Sequence, residues 1–119
     1  MNTERQIQDL WNSLKLAFRA KCEKLSTFSP TASFECEEPD GWTFYVNRNG
    51  IDGRRALEFT IDLEGFRVTY EDRWNGRPKT TIDIVISGSN VIFAIGRSAI
   101  ILPEFADRLL KRITHSRAA

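Results

Sequence analysis

Few side chains in this sequence could perform covalent or metal chemistry, and their spacing favours structural roles. Cys22 and Cys36 are the only cysteines, and His115 is the only histidine. Two cysteines without a CxxC spacing and one histidine cannot complete a tetrahedral zinc site unless carboxylates help. Each cysteine falls at an apolar position of its predicted element, so we expect two buried thiols. A bridge between them depends on a geometry that the sequence does not reveal.

Other catalytic patterns are missing from the sequence. His115 stands near the end of a predicted helix, where a cation is favourable, and a Ser-His-Asp or Cys-His site would have to recruit it. Gly50-Ile51-Asp52-Gly53 matches neither a Walker loop nor a dinucleotide fingerprint, and Ser87-Gly88-Ser89 lacks the nucleophile-elbow pattern. Neighbouring carboxylates such as Glu71 and Asp72 point to opposite faces of a strand. We therefore expect a protein that is not an enzyme and has no metal or cofactor.

The composition is that of one globular domain. The chain has 119 residues, of which 41% are hydrophobic and 28% are charged. Seventeen Lys and Arg nearly balance sixteen Asp and Glu, so a net charge of +1 gives no overall field to attract nucleic acid or acidic membranes. The polar N-terminus lacks the apolar stretch of a secretory signal, and the apolar runs 91–95 and 99–102 are far shorter than the roughly 20 residues that cross a bilayer. We expect a cytoplasmic protein.

Hydrophobic periodicity predicts a helix near each end of the chain and strands between them. Thr3 to Gln6 have capping-box spacing, and apolar residues then recur at helical intervals from Ile7 to Leu25. Pro103 favours the start of a second helix, whose apolar stripe runs from Phe105 to Ile113. Between the helices, apolar and polar residues alternate with a period of two in six segments separated by turn signals. These six predicted strands contain Phe34–Cys36, Trp42–Val46, Leu57–Leu63, Phe66–Tyr70, Ile82–Ile86 and Val91–Ile95.

Short connections favour antiparallel neighbours in sequence order, because a parallel pair needs a longer crossover. We therefore predict an α+β fold: an N-terminal helix, a six-stranded antiparallel meander sheet and a C-terminal helix, with both helices packed on one sheet face. The other face is polar enough to meet water. The whole chain, 1–119, is expected to form a single α+β domain with 116–119 as a frayed tail.

A meander brings alternate hairpin loops to the same end of the sheet, and those loops are rich in Arg. If the first helix runs antiparallel to the first strand, Lys21 and Lys24 reach this end too, whereas the opposite end carries Glu37, Glu38, Asp40 and Glu64. Arg beside Trp suits a phosphate, a carboxylate or a stacked base. The soluble residues of ordinary hairpin tips are the alternative explanation. The predicted basic end consists of Arg48, Arg54, Arg55, Arg73, Trp74, Arg77 and Arg97.

The sixth predicted strand is apolar on both faces, unlike the earlier strands. An apolar edge strand readily pairs with another chain, so this strand is a predicted interface, and a homodimer through it would be isologous. The alternative is that the chain covers this edge itself, through the approach to the closing helix. The predicted interface strand consists of Val91, Ile92, Phe93, Ala94 and Ile95.

Three functions are compatible with these patterns. The leading hypothesis is a small non-catalytic binding domain that acts through a partner protein or through self-association. The alternative is an anion-binding or nucleic-acid-binding module that uses the basic end, which predicts steep salt dependence. A third hypothesis is a small-ligand pocket between sheet and helices, although large aromatic residues at such positions usually form a packed core. That pocket would be lined by Trp11, Phe18, Trp42, Phe44 and Phe59.

Overall fold

A computed structural model describes residues 3–28, 32–50, 53–72 and 79–115 of the chain. Helix α1 spans Thr3–Phe28 and helix α2 spans Leu102–His115. The predicted frayed tail, 116–119, lies outside the described residues. Seven strands connect the helices: β1 Ala32–Glu37, β2 Thr43–Gly50, β3 Gly53–Asp62, β4 Arg67–Asp72, β5 Thr80–Ser87, β6 Asn90–Ile95 and β7 Ser98–Ala99.

The strands form one antiparallel sheet in the order β1-β2-β3-β4-β5-β6-β7, so the predicted meander is confirmed. The prediction of six strands omits β7, which has only two residues and therefore shows no alternation. This short strand pairs Ser98 with Ile95 and Ala99 with Ala94. The fold is thus α+β, with one helix before the strands in the sequence and one after them. Both helices pack with the sheet in a single core.

Helix α1 runs antiparallel to β1 and covers its outer edge. Near the end of the helix, the Ser26 hydroxyl accepts a hydrogen bond from the Phe34 amide at 2.9 Å and donates one to the Phe34 carbonyl at 3.1 Å. Lys15 lies about three helical turns earlier and contacts Glu38, which follows the other end of β1. A side chain that binds both polar groups of an edge residue leaves less of that edge open to another strand.

The core is built from the aromatic residues that alternate on the inner sheet face and recur on the helices. Phe18 on α1, Phe44 on β2 and Phe59 on β3 are each fully buried. The ring centroids of Phe18 and Phe59 are 4.9 Å apart, and those of Phe44 and Phe59 are 6.3 Å apart. Because these rings pack against one another and Trp42 lies outside them with 56% exposure, the predicted ligand pocket among these aromatic residues is not supported.

The outer sheet face meets water at Thr60, Arg67 and Asp83, as predicted, but Val85, Ile92 and Ala94 make it apolar across β5 and β6. Asn47 departs from this pattern, since it is only 1% exposed and neither polar atom of its amide has a hydrogen-bond partner among the described residues. Among the described residues, neither helix has a stretch long and apolar enough to cross a membrane.

Candidate functional site

An apolar groove lies at the end of the sheet where α1 begins, and we call it the Trp42 groove. Its volume is about 680 Å³, within the usual range for ligand-binding clefts. Two large aromatic side chains stand open to solvent there, with Trp42 56% exposed and Phe66 44% exposed. The described lining residues are Thr3, Glu4, Ile7, Trp42, Ile61, Asp62, Leu63, Glu64 and Phe66.

The turn before β2 fixes the backbone of Trp42. An oxygen of the Asp40 carboxylate accepts a hydrogen bond from the Trp42 amide at 2.8 Å, which is the turn-forming role that Asp commonly has. The Trp42 carbonyl accepts a hydrogen bond from the Ile61 amide at 2.9 Å and so extends the β2–β3 ladder. In addition, the buried Trp11 indole donates to the Gly41 carbonyl at 3.2 Å. The indole of Trp42 is thus exposed on a backbone that is held from three directions.

A charged network ties the same turn to the middle of α1. Lys15 Nζ donates to one oxygen of Glu38 at 2.5 Å, and Arg19 donates to the other at 3.1 Å. Hydrogen bonding to Lys15, followed by the charges of both cations, holds the pKa of the Glu38 carboxyl below its usual range. The Lys15 ammonium also lies 5.3 Å from the Trp11 ring centroid, a favourable cation–π distance. The turn that presents Trp42 is therefore anchored to the helix.

Phe66 reaches the groove through an unusual backbone conformation. Its φ of +51° lies in the left-handed region, which a bulky side chain adopts only at a cost of roughly 1 kcal/mol. The Phe66 carbonyl accepts a hydrogen bond from the Ile84 amide at 2.8 Å, so the residue is held at the end of the β4–β5 ladder. At Gly65, just before it, a Cβ would lie 2.5 Å from an oxygen of Asp62 and 2.9 Å from Arg67 Nε, so these side chains would have to shift.

Three carboxylates are among the described residues that line the Trp42 groove. Glu4, Asp62 and Glu64 are exposed, and no Lys or Arg is among the described residues that line the groove. Glu4 occupies the first turn of α1, where the helix dipole stabilises a negative charge. Arg67 lies close to Asp62 and offsets part of this charge. The groove thus combines exposed aromatic surface with a rim that is negative on balance.

At the predicted basic end, Arg55 must be removed from the candidate binding residues. It is 3% exposed, and its guanidinium donates to Asp72 at 3.1 Å and to the Arg112 carbonyl at 3.1 Å. The second bond satisfies a carbonyl in the last turn of α2, where a cation also suits the helix dipole. Arg55 shares the inner face with Leu57, so the expectation of an exposed cation there is wrong.

The other members of the basic end are only partly brought together. Arg48 is half-buried on β2 and Arg54 is exposed on β3, near the same hairpin. Arg97 is exposed after β6, which is four strands away from β2 and therefore roughly 19 Å across the sheet. Arg73, Trp74 and Arg77 lie outside the described residues. Lys21 does reach this region, as expected from the direction of α1, but it faces Asp107 at 4.0 Å.

The predicted interface strand, 91–95, is now β6, and it is not the outermost strand. Ala94 and Ile95 pair with β7, and the Phe93 carbonyl accepts a hydrogen bond from the Ile100 amide at 2.9 Å. Phe93 is 2% exposed and Ala94 is 6% exposed, whereas Val91, Ile92 and Ile95 are half-buried. The expectation of an open edge over the whole strand is therefore corrected, because residues 98–100 cover its second half.

Comparisons with protein-family models, curated proteins and solved structures give no significant match for this chain. Among the residues that the structure describes, no group of three or more His, Cys, Asp or Glu side chains is placed to hold a metal ion. Among the described residues, the Trp42 groove is the feature whose geometry best indicates a function.

Proposed function

We propose that this chain is a non-catalytic protein-interaction domain, and that the Trp42 groove receives a segment of a partner protein that carries an apolar side chain next to Lys or Arg. The observation that carries the proposal is the pair of exposed aromatic residues, Trp42 and Phe66, that line one apolar cleft. Aromatic side chains that can be desolvated in a pocket dominate the energetics of most protein interfaces.

Charge complementarity supports a cationic partner segment. Glu4, Asp62 and Glu64 line the groove and leave its rim negative on balance even with Arg67 nearby. Carboxylates at the rim of an apolar contact increase the association rate of a basic partner and discriminate against an acidic one. A partner with an apolar anchor and flanking Lys or Arg would thus match both parts of the groove.

The proposal is tested by selecting short random peptides on the immobilised full chain from a display library. We expect the selected peptides to share an aromatic or aliphatic residue flanked by Lys or Arg. A synthetic, fluorescently labelled copy of the strongest binder then serves as the probe in anisotropy titrations. Selected peptides without this pattern, or selection of no peptide at all, would contradict the proposal.

Matched variants locate the binding site of that peptide. Trp42→Ala should weaken binding by about 2 kcal/mol, or roughly thirtyfold in Kd, because it truncates an interface anchor. Leu16→Ala is the control: Leu16 lies on α1 outside the lining of the groove and is 66% exposed, so its loss should leave Kd unchanged. Glu64→Lys should weaken binding most at low salt, whereas the same change at exposed Glu35 on β1 should have little effect. Equal effects of Trp42→Ala and Leu16→Ala would place the peptide outside the groove.

Self-association is the other form of the interaction hypothesis, and light scattering of the purified chain tests it. A dimer that dissociates in the Trp42→Ala variant would identify a second copy of the chain as the occupant of the groove. Anion or nucleic-acid binding at the basic end stays a prediction that rests on fewer residues, since Arg55 is buried and paired with Asp72. The proposal includes a cytoplasmic location, which two unbridged cysteines support.

A further inference from the structure

Two thiols lie together beside the C-terminal half of α1, away from the Trp42 groove. Cys22 on α1 is 3% exposed and Cys36 on β1 is half-buried, and neither is in a disulfide. The Ser26 hydroxyl is hydrogen-bonded to the backbone of Phe34, so Cys22, one helical turn before Ser26, lies beside Cys36, two strand residues after Phe34. Both line an open groove of about 620 Å³ whose described wall also contains Arg19, Glu23 and Ser26. A small reagent can therefore reach a dithiol that the fold has already assembled.

The two sulfur atoms are electrostatically different. The hydrogen bond from Cys22 lowers the pKa of the Cys36 thiol against the opposing effect of burial, and the Arg19 guanidinium lowers it further. That same hydrogen bond, together with burial and the charge on Cys36, raises the pKa of the Cys22 thiol, although Arg19 acts weakly in the other direction. Cys36 is thus suited to be the thiolate nucleophile, and Cys22 is suited to keep its proton until a second step.

We propose that Cys22 and Cys36 form a site of reversible oxidation, at which a hydroperoxide converts the two thiols into one disulfide bond between α1 and β1. This site does not depend on the Trp42 groove or on the function proposed for it. Disulfides that form in a reducing compartment are usually transient and have catalytic or redox-sensing roles.

The oxidation of the two thiols to a disulfide takes two steps. In the first, the Cys36 thiolate attacks one oxygen of the hydroperoxide, the O–O bond breaks, and the other oxygen leaves as an alcohol, or as water from hydrogen peroxide, after taking a proton from solvent. Cys36 is then a sulfenic acid. In the second, Cys22 sulfur attacks the Cys36 sulfur and expels hydroxide, which takes the Cys22 proton and leaves as water. Two thiols are oxidised by two electrons and the peroxide is reduced by two.

The disulfide has a measurable consequence for stability. It would close a loop of roughly 15 residues and so reduce the conformational freedom of the unfolded chain. For a domain of this size the expected increase in Tm is about 10 °C. Cys22 is part of the core and Ser26 hydrogen-bonds α1 to β1, so the disulfide would add a covalent link between two elements that already pack together.

The test is oxidation of the reduced, purified full chain by hydrogen peroxide near neutral pH. We expect the intact mass to fall by two hydrogens, both thiols to become unreactive toward thiol reagents, and one tryptic peptide pair to contain the linked cysteines. Tm should rise by about 10 °C, and dithiothreitol should reverse every change. Two thiols that persist, or a Cys36 sulfinic acid that forms without a link, would overturn the proposal.

Variants separate the two roles. In Cys22→Ala the second step is blocked, so Cys36 should accumulate as a sulfenic acid that dimedone traps, whereas in Cys36→Ser the Cys22 thiol should stay unmodified. Arg19→Gln should slow the oxidation because a cation that favours the thiolate is lost. Lys24→Gln removes an exposed cation from the same helix and should leave the rate unchanged. Equal rates in the Arg19 and Lys24 variants would contradict the assignment of Cys36 as the activated thiol.

Discussion

The Glu38→Gln variant tests whether the contacts between Lys15, Arg19 and Glu38 hold the turn that presents Trp42. Glutamine has nearly the same shape as glutamate and can still accept hydrogen bonds, but it carries no charge. The change leaves Lys15, which is only 8% exposed, without this carboxylate partner. We therefore expect the variant to be less stable than the wild-type chain near neutral pH.

The burial of Lys15 and Glu38 determines how much unfolding free energy the Glu38→Gln variant should lose. Loss of one member of a fully buried ion pair costs about 3–5 kcal/mol, whereas an exposed pair contributes about 0–1 kcal/mol. The side chain of Lys15 is 10% exposed and that of Glu38 is 31% exposed, so this pair lies between the two cases. We expect a loss of about 1.5 kcal/mol, which is a decrease in Tm of roughly 6 °C for a domain of this size.

The stabilisation by the Glu38 carboxylate should depend on pH and should be lost in acid. The folded state lowers the pKa of Glu38, so the carboxylate contributes its full stabilisation above the pKa of the unfolded chain. That contribution is lost as the pH falls through the lower, folded-state pKa, because the protonated carboxyl no longer attracts Lys15 and Arg19. The difference in unfolding free energy between wild type and Glu38→Gln should therefore be largest near neutral pH and vanish in acid.

Urea unfolding followed by tryptophan fluorescence measures this difference from about pH 7 down to about pH 3, a range that spans the titration of a carboxyl group. The Lys15→Met variant and the Lys15→Met/Glu38→Gln double variant complete a double-mutant cycle. We expect a coupling energy of about 1 kcal/mol near neutral pH. A stability difference that is the same in acid, or additive effects in the cycle, would refute the reasoning.

Three further predictions concern separate features. Asp72→Asn should lower the unfolding free energy by about 2 kcal/mol, because Arg55 keeps its charge at 3% exposure; an unchanged urea midpoint would contradict this. If the basic end binds nucleic acid, Arg54→Glu should weaken the binding of single-stranded DNA and reduce its salt dependence, and an identical salt titration would exclude Arg54 from that site. Gly65→Ala should cost about 1 kcal/mol, since its Cβ would meet Asp62 at 2.5 Å, and a neutral effect on Tm would show that this carboxylate can move away.

Much of the fold could be predicted from the sequence. The alternation of apolar and polar residues limits the strand register, and the short connections limit the strand order. Phe44 and Val46 must face the same side as Leu57 and Phe59, and the observed register pairs Phe44 with Phe59 and Val46 with Leu57. A slip of one residue would turn every one of these side chains to the wrong face. Strand order then follows from connections that are too short for a crossover.

The candidate site was less predictable, because it depends on side-chain burial at strand ends. Arg55 stands two residues before Leu57, so the alternation of side chains along the strand places both on the core face. Counting the basic residues of each loop does not take this alternation into account. Trp42 begins an alternating segment and so resembles a core residue, but it precedes β2 and is 56% exposed. The partners of Arg55, an Asp on β4 and a carbonyl on α2, are distant in sequence and become neighbours only through the fold.

The turn between β3 and β4 gives an independent reason to assign a function to the Trp42 groove. A turn selected for stability would carry Gly or Asn where φ is positive, yet Phe66 occupies that position and Gly65 stands one residue earlier. The strained backbone of Phe66 brings no evident benefit to the turn itself. A contact between its exposed ring and a binding partner explains the strain better. Phe66→Gly separates the two explanations, because it relieves the strain and removes the ring. If the ring serves binding, the variant should unfold at the same urea concentration as wild type or a higher one and lose the selected peptide. If the ring serves only the fold, the variant should be destabilised and the refolded fraction should bind the peptide as wild type does.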